Sequence, residues 1–599
     1  MEYEADSGFL GVSRSLTGRR WMPRLADDRK ALQFSQSTGV PELLARVLAG
    51  RGVSVENCDA HLDPTIKHYL PNPSVVQDMD KAATRIAEAI RSDEQVAVFG
   101  DYDVDGATSS ALLKRYFELV GAHLRVYIPD RIKEGYGPNA PAFMKLKELG
   151  VTLIITVDCG TMAHKVLGTA RENGLDVVVV DHHQAEPALP PAHAIVNPNR
   201  LDDTSGLGQL AAVGVVFLLL VALNRVLRDA GWFGADREEP KLLDLLDLAA
   251  LGTVCDVVPL TGLNRAFVRQ GLKIMGTRKN IGLAALGDVS RLDGMPGTYH
   301  AGFLLGPRVN AGGRVGRADL GARLLTTHDP AEAEEIAAAL DTYNKERQAI
   351  EAMVLEEAMA EVEQMLARGR LNQPPPMLVV AHKGWHPGVI GIVAARIKDK
   401  YERPTFVIAI DQKGEGKGSG RSIPGVDLGR AVTAALEAGL LVNGGGHSMA
   451  AGLTVDAQKL DKLSAFLSER VGHDVLVASE GRELKLDGAM VLNTASRDSF
   501  EMLEQAGPYG AGNAEPRFAV PRVRIVRADR VGQNHVRCIL AGDDGGRLKA
   551  IAFRQADSPL GEALLNAGSG LFHVAGRLRA DDWQGRRDVQ LQIDDAVRL

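Results

Sequence analysis

The stretch Val96-Ala97-Val98-Phe99-Gly100-Asp101-Tyr102-Asp103-Val104-Asp105-Gly106 decides how the rest of the sequence is interpreted. Its first four residues are apolar, which is typical of a strand buried in a parallel sheet. Three aspartates follow at alternate positions, where open α/β sheets place their binding sites. Three carboxylates this close repel one another, so a bound cation would explain them. An acidic surface turn is the alternative that this motif alone leaves open.

Between residues 95 and 200 the sequence alternates short apolar runs with helical stretches. The predicted strands cover residues 95–99, 124–128, 153–157, 177–180 and 194–196, and the predicted helices between them include 107–120 and 141–149. This alternation is typical of a doubly wound parallel sheet. Acids follow several of these strands, namely Asp101, Asp130, Asp158 and Asp181. Parallel strands end at one edge of their sheet, so these carboxylates are expected to converge there.

The composition is that of an ordinary globular protein. The chain has 599 residues, 45% of them hydrophobic and 24% charged, so several domains are expected. No uncharged apolar run reaches the length of about 18 residues that a membrane span needs, and the acidic start is unlike a signal peptide. The four cysteines contain no CxxC pair, so neither a zinc knuckle nor a disulfide framework is predicted. We therefore expect a cytoplasmic protein with no membrane partner.

Three later segments are rich in glycine and carry residues suited to phosphate. Residues 306–314 contain Arg308, Asn310 and Arg314, and glycine there would let backbone approach a ligand, although a plain surface loop is the alternative. Residues 418–422 and 443–447 are predicted to line a phosphate-binding cleft through backbone N–H groups.

A long helix is predicted to begin at Asp329-Pro330 and to end near residue 368, before a run of three prolines. Such a helix is typical of a rigid connector between two lobes. Beyond it, strands at 377–380 and 405–410 and a helix at 390–401 predict a second α/β lobe.

From about residue 485 the sequence consists of short β-rich runs and turns. Although the net charge of the chain is −7, this tail contains many arginines (Arg517, Arg522, Arg524, Arg527, Arg530, Arg537) and scattered aromatics (Phe518, Phe553, Phe572, Trp583). The pattern predicts a small β-barrel that holds single-stranded nucleic acid. The alternative is an ordinary β-domain whose aromatics form the core.

Residues with the character of metal ligands are expected at strand ends: Asp101, Asp103, Asp105, Asp158, His182, His183 and Asp256. Carboxylates with one or two imidazoles favour Mn²⁺ or Mg²⁺ over zinc. This many acids exceed the needs of one ion, which predicts two ions about 3.5–4 Å apart that share a carboxylate. Asp181, before the histidine pair, is suited to orienting an imidazole.

Asp181-His182-His183 is the motif after which the DHH phosphoesterases are named, and the sequence resembles that superfamily. Further matching motifs are residues 100–106, 157–158, 252–259, 305–314, 384–391 and 443–452. Together they resemble the RecJ family, the bacterial exonucleases specific for single-stranded DNA, from about residue 75 to the C-terminus.

The resemblance implies an N-terminal extension (1–75), a DHH catalytic domain (76–328), a connecting helix (329–370), a DHHA1 domain (371–478) and an OB-fold that binds nucleic acid (479–599). It implies 5′→3′ hydrolysis of single-stranded DNA to mononucleotides with two Mn²⁺ or Mg²⁺ ions, in DNA repair and recombination. Single-strand-binding protein and a RecQ-type helicase are the partners that it suggests.

The resemblance also implies roles for individual residues. The metal ligands would be Asp101, Asp103, Asp105, Asp158, His182 and Asp256, with Asp158 bridging, and the catalytic groups would be His183, Asp101 and Asp181. The substrate would be bound by Arg131, Arg308, Asn310, Arg314, Ser419, Gly420, Arg421 and His447. Phe99 stands where many members have a histidine, with Asp101 as the natural substitute, and Cys159 stands where asparagine is expected.

Three other functions compete with this one. Residues 103–108 also resemble the aspartyl nucleophile loop of haloacid-dehalogenase phosphatases, which leaves the histidine pair and Asp158 unexplained. A phosphodiesterase for short oligonucleotides or cyclic dinucleotides would not need the β-rich tail. A catalytically inactive DNA-binding scaffold would be expected to have lost its carboxylates.

Overall fold

A parallel sheet dominates the first third of the chain in the computed structural model, which describes residues 8–131, 133–368, 374–582 and 587–599. The elements up to this sheet are β1 (Arg20–Pro23), α1 (Asp28–Thr38), α2 (Glu42–Gly50), α3 (Cys58–Leu62), α4 (Ile66–Tyr69) and α5 (Met79–Arg91). The sheet and its helices are β2 (Val96–Gly100), α6 (Val104–Leu119), β3 (Leu124–Tyr127), α7 (Ala140–Glu148), β4 (Leu153–Val157), α8 (His164–Glu172), β5 (Asp176–Val180) and β6 (Ala194–Val196).

The strand order of this sheet is β3-β2-β4-β5-β6, and all neighbouring strands are parallel. Every residue of β2 and β4 is buried, as expected for Val- and Ile-rich strands covered on both faces. Side chains of α7 and α8 pack on one face, and α6 and α9 (Ala212–Asp229) contact the strands as well. The predicted α/β sheet is therefore confirmed, with strand bounds within about two residues of the prediction.

A helical layer follows the sheet. Its helices are α10 (Leu246–Cys255), α11 (Gly262–Gly276), α12 (Ile281–Val289), α13 (Gly306–Val315), α14 (Leu320–Thr326) and the long α15 (Pro330–Arg368). A π-helical segment, His300–Leu305, runs directly into α13. Residues 369 and 370, which the sequence assigns to the connecting helix, lie outside the described residues.

The helix α13 excludes the alternative of a surface loop at residues 306–314. Its glycines serve close packing. A Cβ on Gly306 would lie 2.4 Å from the Cys255 Sγ, and one on Gly313 would lie 2.9 Å from the Tyr102 carbonyl oxygen. The helix thus wedges between the aspartate-rich loop and the end of α10, where only glycine leaves enough room.

The described residues fall into two compact units. The first comprises residues up to Gly313, Arg317–Asp341 and Glu483–Leu599, and the second comprises Arg314–Gly316 and Thr342–Arg482. The second unit contains β7 (Leu378–Lys383), α16 (Ile390–Tyr401), β8 (Thr405–Ile410), β9 (Glu415–Arg421), α17 (Leu428–Glu437), β10 (Asn443–Gly446), β11 (Ala450–Asp456) and α18 (Leu460–Glu480). Its mixed sheet has the order β10-β11-β9-β8-β7.

The C-terminal region forms a closed five-stranded barrel. Its elements are β12 (Glu483–Leu486), β13 (Gly488–Ala489), α19 (Arg497–Glu504), β14 (Phe518–Val531), β15 (His535–Ala541), β16 (Arg547–Ala552), α20 (Pro559–Leu565), β17 (Leu571–Asp581) and β18 (Asp588–Arg598). The order β14-β15-β16-β18-β17 closes through pairing of β17 with β14. The predicted barrel is confirmed.

The barrel aromatics divide between core and surface. Phe518 and Phe572 are fully buried, so the core alternative is correct for these two, whereas Phe553 is exposed beside His535. Trp583 lies outside the described residues. Several of the tail arginines contact acids, including Arg517 with Asp594, Arg527 with Asp529 and Arg530 with Asp557. The free positive charge of the tail is therefore smaller than its arginine count suggests.

The N-terminal segment packs against the barrel. The strand β1 pairs in parallel with β12, and the Trp21 indole N–H donates to Asp595 in the barrel. Leu44 and Leu48 of α2 belong to the same apolar core as Phe518. Removal of the tail near residue 480 would expose this apolar surface, so single substitutions are the better probes of the barrel.

Arg265 joins three distant segments of the first unit. Its side chain is fully buried, and its guanidinium donates to the carbonyl oxygens of His61, Ala506 and Gly507. Burial, with Arg269 nearby, lowers the pKa of Arg265 to about 10. The side chain has no carboxylate within ion-pair distance among the described residues, so carbonyl dipoles solvate its charge.

We expect Arg265→Met to lower the free energy of unfolding by about 3 kcal/mol, because it leaves buried carbonyl oxygens without a donor. The midpoint of urea unfolding measures this loss. Arg171→Met, at an exposed position of α8, is the matched control. An unchanged midpoint for Arg265→Met would show that these contacts add nothing to stability.

None of the helices in the described part of the chain combines the length and the hydropathy that crossing a bilayer requires.

Candidate functional site

The carboxyl edge of the parallel sheet gathers the predicted metal ligands. Asp101, Asp103 and Asp105 follow β2, Asp158 follows β4, and the Asp181–His183 triplet follows β5. Gly106 comes directly after the three aspartates that follow β2. Its backbone packs so closely on that of Asp101 that a Cβ there would lie 2.4 Å from the Asp101 carbonyl oxygen. Asp256 corrects the expectation of a strand end, because it follows the buried helix α10.

His182 and Asp158 lie at the centre of this cluster. The Nε2 of His182 is 3.3 Å from the Asp158 Oδ1, 3.6 Å from the Asp256 Oδ2 and 3.9 Å from the Asp105 Oδ2. Ligand atoms within 4.8 Å of one another form three sets: Asp158 with His182 and His183, Asp105 with His182 and Asp256, and Asp101 with Asp103 and Asp158. Asp158 and His182 each belong to two sets. Of the two, only the Asp158 carboxylate has enough lone pairs to be shared by two ions.

Helix N-termini hold two of the carboxylates in place. Both oxygens of Asp105 accept backbone N–H groups at the start of α9, from Ala212 at 2.6 Å and from Val213 at 2.9 Å. Asp103 caps α6 by accepting the Gly106 N–H at 3.1 Å. The positive ends of the helices stabilise negative charge here, and a carboxylate oxygen has further lone pairs for a metal.

The cluster fits a divalent cation by its unsatisfied oxygens. The Asp101 Oδ1 and the Asp256 Oδ2 are buried and have no hydrogen-bond partner among the described residues. Burial, together with repulsion from neighbouring acids, raises the pKa of Asp101 and of Asp158, and it raises that of Asp105 to about 7 and that of Asp256 to about 8. A bound cation would remove both penalties, and oxygen-rich ligands with one imidazole suit Mn²⁺ or Mg²⁺.

We expect Mn²⁺ affinity to fall with falling pH. Asp105 and Asp256 must lose their protons to act as ligands, and their raised pKa values of about 7 and 8 place that loss near neutral pH. Between pH 8.5 and pH 6.5 the affinity should drop about 10- to 100-fold, as measured by the electron paramagnetic resonance signal of free Mn²⁺. A pH-independent affinity would mean that these carboxyls do not bind the ion.

The two histidines differ in charge. Burial and the neighbouring His183 lower the pKa of His182 to about 4, so its imidazole is neutral and able to bind metal. Burial alone would lower the pKa of His183, but its hydrogen bond to Asp181 and the surrounding carboxylates raise it to about 9. His183 therefore carries a positive charge at neutral pH.

The Asp181 carboxylate accepts several hydrogen bonds. Its carboxylate accepts the backbone N–H groups of Thr161, His182 and His183, and it accepts the His183 Nδ1–H at 2.8 Å. These hydrogen bonds and the charge of His183 overcome burial and hold the pKa of Asp181 well below its usual range. These contacts are those expected of a residue that positions the His183 ring.

Tyr136 belongs to the site, although none of the sequence motifs includes it. Its hydroxyl lies 3.2 Å from the Asp158 carbonyl oxygen and 3.4 Å from the His183 Nε2. It stands between Gly135 and Gly137, both with positive φ. The sequence does carry a signal for this residue. It is a tyrosine between two glycines, a few residues after a strand that ends at the acidic edge.

The two departures from the family pattern are core residues. Phe99 is buried and its ring contacts those of Tyr127 and Phe143, so it faces the apolar side of the sheet. The Cys159 thiol is directed at the Val157 carbonyl oxygen 3.4 Å away and lies in the same core. Neither side chain joins the groups of candidate ligands in the described residues.

The predicted substrate-binding residues lie in both units. In the first unit, Arg131 lies over the Tyr102 ring, Asn310 is on α13, and Arg308 donates to Asp341 at 2.9 Å and to the Leu304 carbonyl oxygen. In the second unit, Arg314 donates to the Gly388 carbonyl oxygen, and His447 is exposed after β10.

The segment 418–421 is a strand and not a phosphate-binding loop. Gly418, Ser419 and Gly420 lie in β9, which pairs with β8 on one side and β11 on the other, so its backbone N–H groups are used within the sheet. The Arg421 guanidinium donates to the Ser419 Oγ at 3.1 Å. A Cβ on Gly391, in the first turn of α16, would lie 2.9 Å from the Arg421 Nη2. Side chains and a helix N-terminus, not strand N–H groups, are what this region offers an anion.

The segment 443–447 also departs from the expected backbone cradle. Gly444, Gly445 and Gly446 form the edge strand β10, which pairs with β11. The His447 N–H donates to the Ala450 carbonyl oxygen. The exposed imidazole of His447 is therefore the candidate substrate contact of this segment.

Three family models match the chain. They are the DHH family, N-terminal domain, over residues 95–253, the DHHA1 domain over residues 375–473 and the RecJ OB domain over residues 486–595. Two curated relatives are each called single-stranded-DNA-specific exonuclease RecJ. The one from Dickeya dadantii is 36% identical over 568 residues, which cover 93% of this chain and 96% of the relative. The one from Bacillus subtilis is 35% identical over 582 residues, which cover 96% of this chain and 71% of the relative.

Solved structures agree with the sequence relatives. RecJ from Thermus thermophilus in complex with Mn²⁺ superposes with a TM-score of 0.77 at 29% identity, covering 96% of this chain and 78% of that one. The same protein in complex with Mg²⁺ gives a TM-score of 0.73 at 27% identity, covering 96% of this chain and 77% of that one.

Proposed function

The chain belongs to the RecJ family of single-stranded-DNA-specific exonucleases, and from that premise we propose that it hydrolyses single-stranded DNA from the 5′ end and releases mononucleotides in DNA repair and recombination. The observation that carries the proposal is the cluster at the sheet edge, in which Asp158 and His182 are each shared by two sets of ligand atoms. The barrel favours a long strand over short oligonucleotides or cyclic dinucleotides as substrate.

The residues of the cluster divide the work of hydrolysis. Two Mn²⁺ or Mg²⁺ ions, held by Asp101, Asp103, Asp105, Asp158, His182 and Asp256, would supply a hydroxide near neutral pH and neutralise charge on the phosphate. His183 donates from its Nε2–H to a phosphate oxygen and stabilises the charge that develops there. Asp181 fixes the His183 ring by accepting its Nδ1–H.

The test is to incubate the chain with 5′- and 3′-labelled DNA, single- and double-stranded, in Mn²⁺ or Mg²⁺. The proposal expects the 5′ label to leave at once as a mononucleotide from single strands, while the 3′ label stays on a shortening ladder. Release of the 3′ label first, or equal cleavage of duplex, would contradict it.

Arg421 is proposed to bind the 5′-terminal phosphate, together with its neighbours Ser419 and Gly420. Arg131 and Arg308 are each proposed as substrate contacts of the first unit. A terminal phosphate carries more charge than an internal diester, and a guanidinium pairs with it through two donors. Arg421→Ala should lower the preference for 5′-phosphorylated over 5′-hydroxyl ends about 10-fold or more, by the ratio of kcat/KM values. Lys462→Ala, at an exposed position of α18, should keep the ratio. If Arg421→Ala keeps it too, this guanidinium does not contact the phosphate.

The remaining proposals rest on the family. The domain division at residues 75, 328, 370 and 478 is kept as a proposal, and the matched family regions lie within it in the same order. Asn310, Arg314 and His447 are proposed as further substrate contacts. Single-strand-binding protein and a RecQ-type helicase are proposed partners, and the cytoplasm, where bacterial DNA lies, is the proposed compartment.

A further inference from the structure

A cavity of about 700 Å³ lies in the first unit, away from the metal ligands. It is bounded by the C-terminal end of α6, residues 236–241, the start of α10 and residues 279–280. The candidate ligands Asp105 and Asp256 lie at the opposite ends of α6 and α10, which are about 24 Å and 15 Å long. We call this space the α6–α10 cavity. Its volume is in the range of small-molecule sites and suits a ligand of nucleoside size.

The Arg115 guanidinium, in the wall of the α6–α10 cavity, has one nitrogen without a hydrogen bond. Its Nε donates to the Leu325 carbonyl oxygen at 2.7 Å, whereas its Nη2 is buried and has no hydrogen-bond partner among the described residues. A buried donor without an acceptor is costly. The cavity therefore favours a ligand that presents an acceptor to this nitrogen.

Asp247 offers the opposite group in the same wall. The residue is 3% exposed, its Oδ1 accepts the Leu248 N–H at 2.8 Å, and no side chain in the described part of the chain donates to its carboxylate. Burial raises the pKa of Asp247 to about 6, against the opposing effects of the Leu248 N–H and of the Arg115 charge. The carboxylate is therefore ionised at pH 8 and has lone pairs left for N–H donors of a ligand.

Most other charged groups around the α6–α10 cavity already have partners. The ion pairs are Glu118 with His328, Asp244 with Lys279, Glu238 with Lys241 and Glu239 with Arg228. These pairs neutralise the rim. The groups that await a ligand are thus a single donor on Arg115 and the acceptors on Asp247.

Arg237 gives the α6–α10 cavity a flat side. Its side chain lines the cavity, and its Cζ lies 3.8 Å from the centroid of the Trp232 ring. A guanidinium is planar and stacks on aromatic faces, so the indole holds it in place as a platform. A planar, aromatic ligand fits beside such a group better than an aliphatic one.

We propose that the α6–α10 cavity binds the guanine base of a nucleoside or nucleotide. The N1–H and the 2-amino group of guanine donate to the Asp247 carboxylate, and its O6 accepts from the Arg115 Nη2. Adenine lacks both the N1–H and the 2-amino group. A free amino acid satisfies both charged groups but leaves most of the volume empty. The inference does not depend on the proposed function, because the metal cluster takes no part in it.

The test is equilibrium dialysis of labelled guanosine against the full chain in EDTA, with unlabelled inosine and adenosine as competitors. A nucleoside without phosphate and a buffer without free metal keep the probe from the acidic cluster. Inosine lacks only the 2-amino group, so it should compete about 10- to 100-fold more weakly than guanosine, the worth of one hydrogen bond to a charged acceptor. Adenosine should compete at least about 100-fold more weakly.

Three variants locate the bound base. Asp247→Asn keeps the shape of the side chain but turns an amide donor toward guanine, so guanosine affinity should fall about 100-fold and the preference over inosine to within about threefold. Arg115→Met should lower affinity about 10-fold and keep the preference over inosine, because only the contact with O6 is lost. Asp229→Asn, at the exposed end of α9, is the matched control and should bind as the wild-type chain does.

Absence of guanosine binding by the wild-type chain at millimolar concentration would overturn the proposal. Equal competition by inosine and adenosine would do so as well, and this comparison needs no variant. If Asp247→Asn, shown to be folded by its circular dichroism melt, keeps the wild-type affinity and preference, guanosine binds elsewhere and the α6–α10 cavity is not its site.

Discussion

Asp158→Asn is expected to lower the rate of DNA cleavage by about 10³-fold or more, because the loss of a shared carboxylate removes several kcal/mol of transition-state stabilisation. The carboxylate lies among both histidines and the aspartates that follow β2, so no neighbour replaces it. Asparagine is preferred to alanine because residue 158 has φ of 61°, a left-handed conformation that asparagine tolerates. Initial rates on a 5′-phosphorylated single strand measure the effect.

A matched exchange separates the metal site from the backbone. Asp93 is an exposed aspartate in the same left-handed region, with φ of 53°. Asp93→Asn should keep the wild-type rate and the wild-type melt. Binding of a single strand by Asp158→Asn in Ca²⁺ should remain within a few-fold, since the proposed holding surfaces lie elsewhere. Residual turnover above about a tenth of wild type would contradict a bridging part for Asp158.

His183→Gln is expected to lower kcat about 10²- to 10³-fold, the usual cost of removing one preorganised donor from a developing oxyanion. Its Nδ1–H is taken by Asp181, so only Nε2 can face the substrate. The hydrogen bond to the Asp181 carboxylate raises the pKa of His183 and so favours the imidazolium, which binds phosphate more strongly than a neutral imidazole. Single-turnover rates at saturating DNA measure the chemical step.

The Mn²⁺ affinity of His183→Gln distinguishes a phosphate contact from a metal ligand. As a phosphate contact, its loss should leave Mn²⁺ affinity within about threefold, because His182 supplies the neutral imidazole. If affinity falls with the rate, His183 is instead a ligand. His123→Gln, at an exposed position before β3, should change neither quantity.

The sheet and its acidic edge were predictable because both follow from local patterns. Runs such as Val177–Val180 are strongly β-branched and apolar, and the carboxylates come directly after them, so strand position and edge follow together. The position of Asp256 was not predictable in this way. The apolar run before it is buried on all sides, and periodicity cannot distinguish such a helix from a strand.

The structure of the glycine-rich segments was not predictable because their glycines are required by close tertiary packing. Gly313 admits the Tyr102 backbone, and Gly420 leaves room for the Phe406 ring, whose nearest atom would be 2.5 Å from a Cβ there. Composition alone favours a loop for such segments, whereas close neighbours, invisible in the sequence, make them helix and strand. The contact of Tyr136 with His183 is likewise a product of the fold.

The number of Mn²⁺ ions bound at the sheet edge tests the central claim most directly. Crystals soaked in Mn²⁺ at pH 8.5 and measured at the manganese absorption edge show each ion as an anomalous peak. We expect two peaks about 3.5–4 Å apart with the Asp158 carboxylate between them, and loss of at least one in Asp158→Asn. A single peak in the wild-type chain, or two peaks that persist unchanged in Asp158→Asn, would contradict it.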